Sequence, residues 1–202
     1  LIAGIDRFIA PSRFLRDRYI RQGFPASRIT VLENGLDTAR FAAADATALP
    51  PPPGKPHFGF LGSLAWQKGV HVLVEAFNRL PADAALTIYG SETVFPEYAA
   101  QVRALARHPN IRFAGPLDYR QVGAALRQLD CLVVPSLWYE NSPLVIQEAY
   151  AVGVPVVASR LGALIEKVQD GRTGYLLAPG DSADLARVLQ QIVDQPERLA
   201  DL

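Results

Sequence analysis

The chain has 202 residues, half of them apolar, and its twenty basic residues balance its twenty acidic ones. That length supports one sizeable buried core, or one domain with a short appendage, and the charge balance excludes a global field that would draw the chain to nucleic acid. The single cysteine, Cys131, excludes an internal disulfide, no Cys/His spacing marks a zinc site, and the thiol lies in an apolar run that reads as core.

The longest apolar runs, 131–135 and 152–158, are too short to span a bilayer, and no signal-peptide pattern is present. The chain begins at Leu1 and contains no methionine, from which we expect a piece of a longer protein. Taken in chain order, the first elements are a short strand over 6–10, a helix over 12–22 and an extended run over 29–32. Ser12 caps that helix, and Gly23, Phe24 and Pro25 end it. Six arginines within residues 1–28 stand against only Asp6 and Asp17. A solvated helix face is the plain reading, and peripheral contact with an anionic membrane or acceptor is the alternative. A hinge is expected over 34–41, and the proline run at 50–54 reads as a linker.

From Lys55 onward, apolar runs of strand length alternate with segments of helical period. They are 58–61 then 68–80, 85–89 then 97–107, 111–114 then 119–129, 131–134 then 144–152, 154–158 then 162–169, and 175–177 then 182–193. Strands apolar on both faces, each followed by a helix, predict an α/β domain with a Rossmann-like, doubly wound parallel sheet. The expected division is a hinge region and remnant of a preceding domain over 1–54, and the Rossmann-like domain over 55–202.

Ligands of such sheets bind beyond the carboxyl ends of the strands. Those ends carry Gly62-Ser63, Gly90-Ser91, Gly115-Pro116, the run from Pro135 to Glu140, and Ser159-Arg160. Small residues in several adjacent turns leave a crevice that backbone can line closely, although βα turns favour glycine in any case. The richest segment is Pro135-Ser-Leu-Trp-Tyr-Glu140-Asn141-Ser142-Pro143-Leu144-Val145-Ile-Gln-Glu148. Ser142 reads as an N-cap and Pro143 as the first helical residue, leaving the amides of Leu144 and Val145 to meet a phosphate at the positive end of the helix dipole.

Glu140, just before the helix, is placed to accept hydrogen bonds from sugar hydroxyls; taken alone it fits an exposed loop carboxylate better. Glu148 lies five residues past Pro143, about 7–8 Å along the helix axis, an offset from a diphosphate at the helix start that matches ribose hydroxyls. Its surroundings in the helix are apolar, so it needs a partner, an arginine being the alternative to a ligand. Two glutamates also bring to mind the acid and base of a glycoside hydrolase, but Glu148 lies too deep in a helix to reach an anomeric carbon. A dinucleotide-dependent dehydrogenase is disfavoured because no Gly-x-Gly-x-x-Gly follows the first core strand.

This segment, with the Ala151-Val-Gly-Val-Pro155-Val-Val-Ala-Ser159 that follows it, resembles the donor-binding motif of the large retaining glycosyltransferase family of the GT-B type. That family has two glutamates with seven residues between them, then a small-x-Gly-x-Pro-Val-x-Ala-Ser run. Asp6-Arg-Phe-Ile-Ala-Pro-Ser12 and Ile29-Thr-Val-Leu-Glu-Asn34-Gly35-Leu-Asp37 resemble its hinge region. Phe60-Leu-Gly62 with Lys68-Gly69 resembles its phosphate-contacting loop, and Ser159-Arg-Leu-Gly162 with the run from Glu166 to Leu177 resembles its closing element.

The resemblance implies two catalytic residues, Glu140 at the donor sugar and Lys68 neutralising the departing diphosphate. Without it, Lys68 reads as an ordinary solvated lysine. The implied donor-binding set is Gly62, Ser63, Gly90, Asn141, Ser142, Pro143, Leu144, Val145 and Glu148, the last at the ribose. It further implies a bacterial hexosyltransferase of polysaccharide biosynthesis, cytoplasmic or at the inner face of the membrane. Its substrate would be a nucleoside-diphosphate sugar, with no metal, no other cofactor and no nucleic-acid partner. The acceptor domain would precede Leu1, so this piece alone is expected to bind donor and transfer little. Two departures stand out. Ser63 replaces the family's usual arginine and so removes one cation from the leaving group. Gly162-Ala163 replaces Gly-Gly and is expected to restrict backbone approach to the sugar or phosphate. A sugar-nucleotide epimerase, or a non-catalytic nucleotide-sugar-binding module for which Ser63 speaks, is the alternative on the same fold.

Overall fold

The computed structural model describes residues 4–42, 56–199 and 202. The first described elements are β1 (Phe8–Ala10), α1 (Arg13–Arg21), β2 (Ile29–Val31) and α2 (Ala39–Ala42), with β1 and β2 paired in parallel as a separate two-stranded sheet. Ser12 caps α1 as its sequence predicts, holding extended backbone while its side chain accepts from the Leu15 amide at 3.2 Å. The proline-rich linker expected at 50–54, and the domain start expected at Lys55, lie outside the described residues.

The larger sheet is built from β3 (His57–Leu61), β4 (Ala85–Tyr89), β5 (Ile111–Gly115), β6 (Cys131–Val134), β7 (Val156–Ser159) and β8 (Gly174–Leu177). All pairings are parallel, in the order β5-β4-β3-β6-β7-β8. Counted from β3, that is the 3-2-1-4-5-6 order of a dinucleotide-binding sheet, and it reverses direction between β3 and β6. β3 pairs with β4 along all five residues, from His57↔Ala85 to Leu61↔Tyr89. It pairs with β6 at Phe58↔Cys131 and Gly59↔Leu132.

Period-two alternation sends strand side chains to opposite faces, and the core follows that rule. Phe58 and Phe60 of β3, Leu86 and Ile88 of β4, Cys131 and Val133 of β6, and Val157 of β7 pack in one cluster. The helices α3 (Val70–Phe77), α4 (Pro96–Leu105) and α8 (Ser182–Asp194) contribute to the same cluster. Leu132 and Val134 of β6 and Val156 and Ala158 of β7 pack on the other face with residues of α5 (Val122–Leu126), α6 (Leu144–Ala151) and α7 (Leu164–Lys167). Cys131 is 1% exposed, and burial pushes its thiol up to about 12. It is a core residue, as its surroundings in sequence predict.

Two local expectations are corrected. Lys68 was expected in the first turn of a helix over 68–80, but it closes a separate 3-10 turn, Trp66–Lys68, and α3 begins at Val70. Gly69 causes the break: it adopts φ 69°, and a Cβ there would lie 2.0 Å from the carbonyl oxygen of Pro135. Ser142 was expected to cap α6 with Pro143 as the first helical residue. Instead Pro143 is the cap, at φ −67° and ψ 114°, and the helix starts at Leu144. A proline ring fixes φ near −65°, which suits helical and extended ψ equally, so sequence alone does not separate the two positions.

Candidate functional site

A cleft of about 400 Å³ lies across the carboxyl ends of β3, β4 and β5. Its walls come from the strand-end pairs Leu61-Gly62-Ser63 and Tyr89-Gly90-Ser91, from Val94, from Pro116, Leu117 and Tyr119 after β5, from Val122 of α5, and from Val145 and Glu148 of α6. Of the expected donor-binding residues, Gly62, Ser63, Gly90, Val145 and Glu148 therefore line the same cleft, whereas Asn141, Ser142, Pro143 and Leu144 do not. Glu148 is 7% exposed, on a helix whose Ile146 and Ala149 are fully buried. No lysine or arginine lines this cleft among the described residues.

Glu140 and Lys68 meet at the β6 end. The Lys68 ammonium donates to Glu140 Oε1 at 2.7 Å, and the Ser136 hydroxyl donates to the same oxygen at 2.8 Å. Side-chain exposures of 14% for Glu140 and 32% for Lys68 mean a partly desolvated pair, stronger than a surface ion pair. The short turn closed by Gly69 makes this possible. With Gly69 flush against Pro135 and the Leu137 amide donating to the Gln67 carbonyl at 2.8 Å, residues 66–69 are fastened to the loop that carries Glu140. Ser136 was not assigned a role from sequence; a hydroxyl at a strand end four residues before Glu140 was the available signal.

Asn141 is exposed in the same loop, and the buried hydroxyl of Ser142 has no hydrogen-bond partner among the described residues. A buried hydroxyl in that state costs free energy unless something satisfies it, and it stands two and three residues before the free amides of Leu144 and Val145. Ser63, the residue in place of an arginine, is exposed on the cleft wall. Ala163, expected to restrict backbone approach to a ligand, is fully buried at the start of α7.

The N-terminal elements reach this site. The Glu166 carboxylate of α7 accepts from the Arg13 amide of α1 at 2.9 Å and from the Phe14 amide beside it. Phe14 packs on Tyr139 with ring centroids 4.9 Å apart, and the Arg18 guanidinium lies 5.2 Å from the centre of the same ring. Lys167 pairs with Glu33 at 2.6 Å. None of these contacts was anticipated from sequence. Among the described residues, no helix is long and apolar enough to cross a membrane.

The chain is similar to known proteins along most of its length. The family model described as "Glycosyl transferases group 1" matches residues 55–195, and that of "Glycosyltransferase Family 4" matches residues 1–40. The chain is 36% identical over 200 residues to a glycogen synthase of Mycobacterium tuberculosis, covering 97% of this chain and 47% of that protein. It is 31% identical over 220 residues to D-inositol 3-phosphate glycosyltransferase 2 of Catenulispora acidiphila, covering 100% of this chain and 51% of that one. It thus spans about half the length of the curated relatives it matches. Sucrose-phosphate synthase from Thermosynechococcus elongatus superposes with a TM-score of 0.83 at 26% identity, over 99% of this chain and 53% of that one. The Anabaena protein HepE, solved with UDP and glucose, shares the fold with a TM-score of 0.83 at 23% identity, over 97% of this chain and 56% of that one. By sequence match along most of its length, with the strand order and strand-end cleft described above, the chain belongs to the group 1 glycosyl transferases.

Proposed function

We propose that this chain is the donor-binding half of a retaining glycosyltransferase, which moves a sugar from a nucleoside-diphosphate sugar to an acceptor hydroxyl. The observation that carries this reading is the placement of two carboxylates around one helix start. Glu140 is held by Lys68 and Ser136 just before α6, and Glu148 is buried within α6 at the cleft wall. In this reading the sugar meets Glu140, the diphosphate meets the amides of Leu144 and Val145, and the ribose meets Glu148. HepE, of the same fold, has been solved with UDP and glucose and with UDP-glucose, which supports a nucleotide sugar as the ligand class.

The acceptor oxygen forms a bond to the anomeric carbon on the face the diphosphate leaves, the bond from that carbon to the phosphate oxygen breaks, and the departing phosphate takes the acceptor's proton. The chain's residues act by position and charge. Lys68 shares its ammonium between Glu140 and the leaving phosphate, and the α6 amides add the positive end of the helix dipole. The reading assigns no role to a metal. Calorimetry with UDP, GDP and ADP and their sugar conjugates tests it: one nucleotide series binds the wild-type chain, and Glu148→Ala, checked for intact folding, weakens it about tenfold or more. Absence of binding by wild type, or unchanged binding by the variant, overturns the site.

A further inference from the structure

The Glu140 carboxylate is held by Lys68 and Ser136, but the backbone of the loop between β6 and α6 that carries it has little support of its own. Between Leu137 and Ser142, the Leu137 amide makes the one backbone–backbone hydrogen bond to another element found among the described residues, and Trp138 is 65% exposed. Yet Glu140 must hold its carboxylate within a fraction of an ångström to serve a sugar hydroxyl. Support comes from elsewhere in the chain. Tyr139, the residue before Glu140, has its ring against Phe14 and under the Arg18 guanidinium, both on α1. Gly162 completes the enclosure: a Cβ there would lie 3.1 Å from Tyr139 Cδ1 and 3.2 Å from Phe14 Cε1, and its φ is 55°. α1 is itself fastened, because the Glu166 carboxylate occupies the first two free amides of the helix, where a negative charge is favoured by the dipole.

We propose that Tyr139 is a positioning residue for Glu140, and that Phe14, Arg18 and Glu166 form a clamp which holds it there. The proposal rests on the reading of Glu140 as the sugar-binding carboxylate. It gives α1 a function in donor recognition although α1 contributes nothing to the cleft wall. It also gives Gly162 a reason other than close approach to the ligand: a side chain there would press on both rings of the clamp. The nucleotide end of the site, at Glu148 and the ends of β4 and β5, is independent of these contacts.

The test separates the two ends. Phe14→Ala, Glu166→Gln and Tyr139→Ala are compared with Tyr139→Phe, which keeps the ring that makes both contacts. Amide hydrogen exchange over 137–142 is measured in each without ligand, and calorimetry compares UDP with UDP-glucose, GDP with GDP-mannose, and ADP with ADP-glucose. The first three variants are expected to speed exchange in that segment about tenfold. They should weaken the nucleotide sugar about three- to tenfold while free nucleoside diphosphate stays within about twofold. Tyr139→Phe should match wild type. Unchanged exchange in both Phe14→Ala and Glu166→Gln overturns the clamp, and so does an equal loss of affinity for nucleotide and nucleotide sugar. Glu166 is exposed, so its glutamine variant will fold even if Phe14→Ala does not. If no nucleotide binds wild type, the donor-site reading fails, and exchange alone still decides the clamp.

Discussion

At the scale of single residues, the site balances charge internally before any substrate arrives. Lys68 is engaged with Glu140, and Ser136 adds a second hydrogen bond to the same carboxylate oxygen. In the proposed reading a phosphate entering beside α6 competes for an ammonium already engaged, and no lysine or arginine lines the cleft itself among the described residues. Ser63 on the cleft wall is where an added cation would act on the phosphate directly. Ser63→Arg is accordingly expected to tighten nucleoside-diphosphate binding about tenfold, since a charge-assisted phosphate contact is worth roughly twice a neutral one. Calorimetry checks it, and an unchanged affinity would show that Lys68 and the helix amides already meet the phosphate's charge.

At the scale of elements, the strands were legible because both their faces are apolar. Ala85–Tyr89 and Cys131–Val134 have the predicted bounds, and the other core strands differ by at most two residues at either end. The helix starts that matter to the site were less legible. Pro143 fits two adjacent positions, and Gly69 breaks a helix whose apolar period runs on through it. The amino ends of the strands, far from the cleft, carry a different feature: His57 of β3 is buried, with Nδ1 2.7 Å from the Gln128 carbonyl and Nε2 2.8 Å from the Thr87 hydroxyl. The carbonyl only accepts, so Nδ1–H donates to it and neutral Nε2 accepts from Thr87. Burial lowers the His57 pKa below 6.5, and burial lowers that of His71 as well. Both side chains then bind protons more readily in the unfolded chain. Stability is therefore full above pH 6.5 and declines as pH falls below it, before any carboxylate titrates. Urea midpoints should fall between pH 7.5 and 5.5; a midpoint that holds or rises would contradict the assignment.

At the scale of the whole molecule, the proposed function makes the sheet order, the cleft at the ends of β3, β4 and β5, and the spacing of Glu140 and Glu148 a ruler along a nucleotide sugar. The Glu140–Glu148 spacing and the alternation of strands and helices were readable in sequence, because both depend on neighbours along the chain. The contacts of Phe14 with Tyr139 and of Glu166 with α1 were not, because they join segments more than a hundred residues apart that carry no shared pattern. The central claim is that the two ends of the ruler are distinct, and one crossed calorimetric measurement tests it most directly. Glu148→Gln and Glu140→Gln are each titrated with the nucleoside diphosphate that binds wild type and with its sugar conjugate. Glu148→Gln is expected to weaken both ligands alike, whereas Glu140→Gln is expected to weaken only the conjugate, by about tenfold. Equal losses from both variants, or a loss of free nucleoside diphosphate on changing Glu140 alone, would contradict that claim.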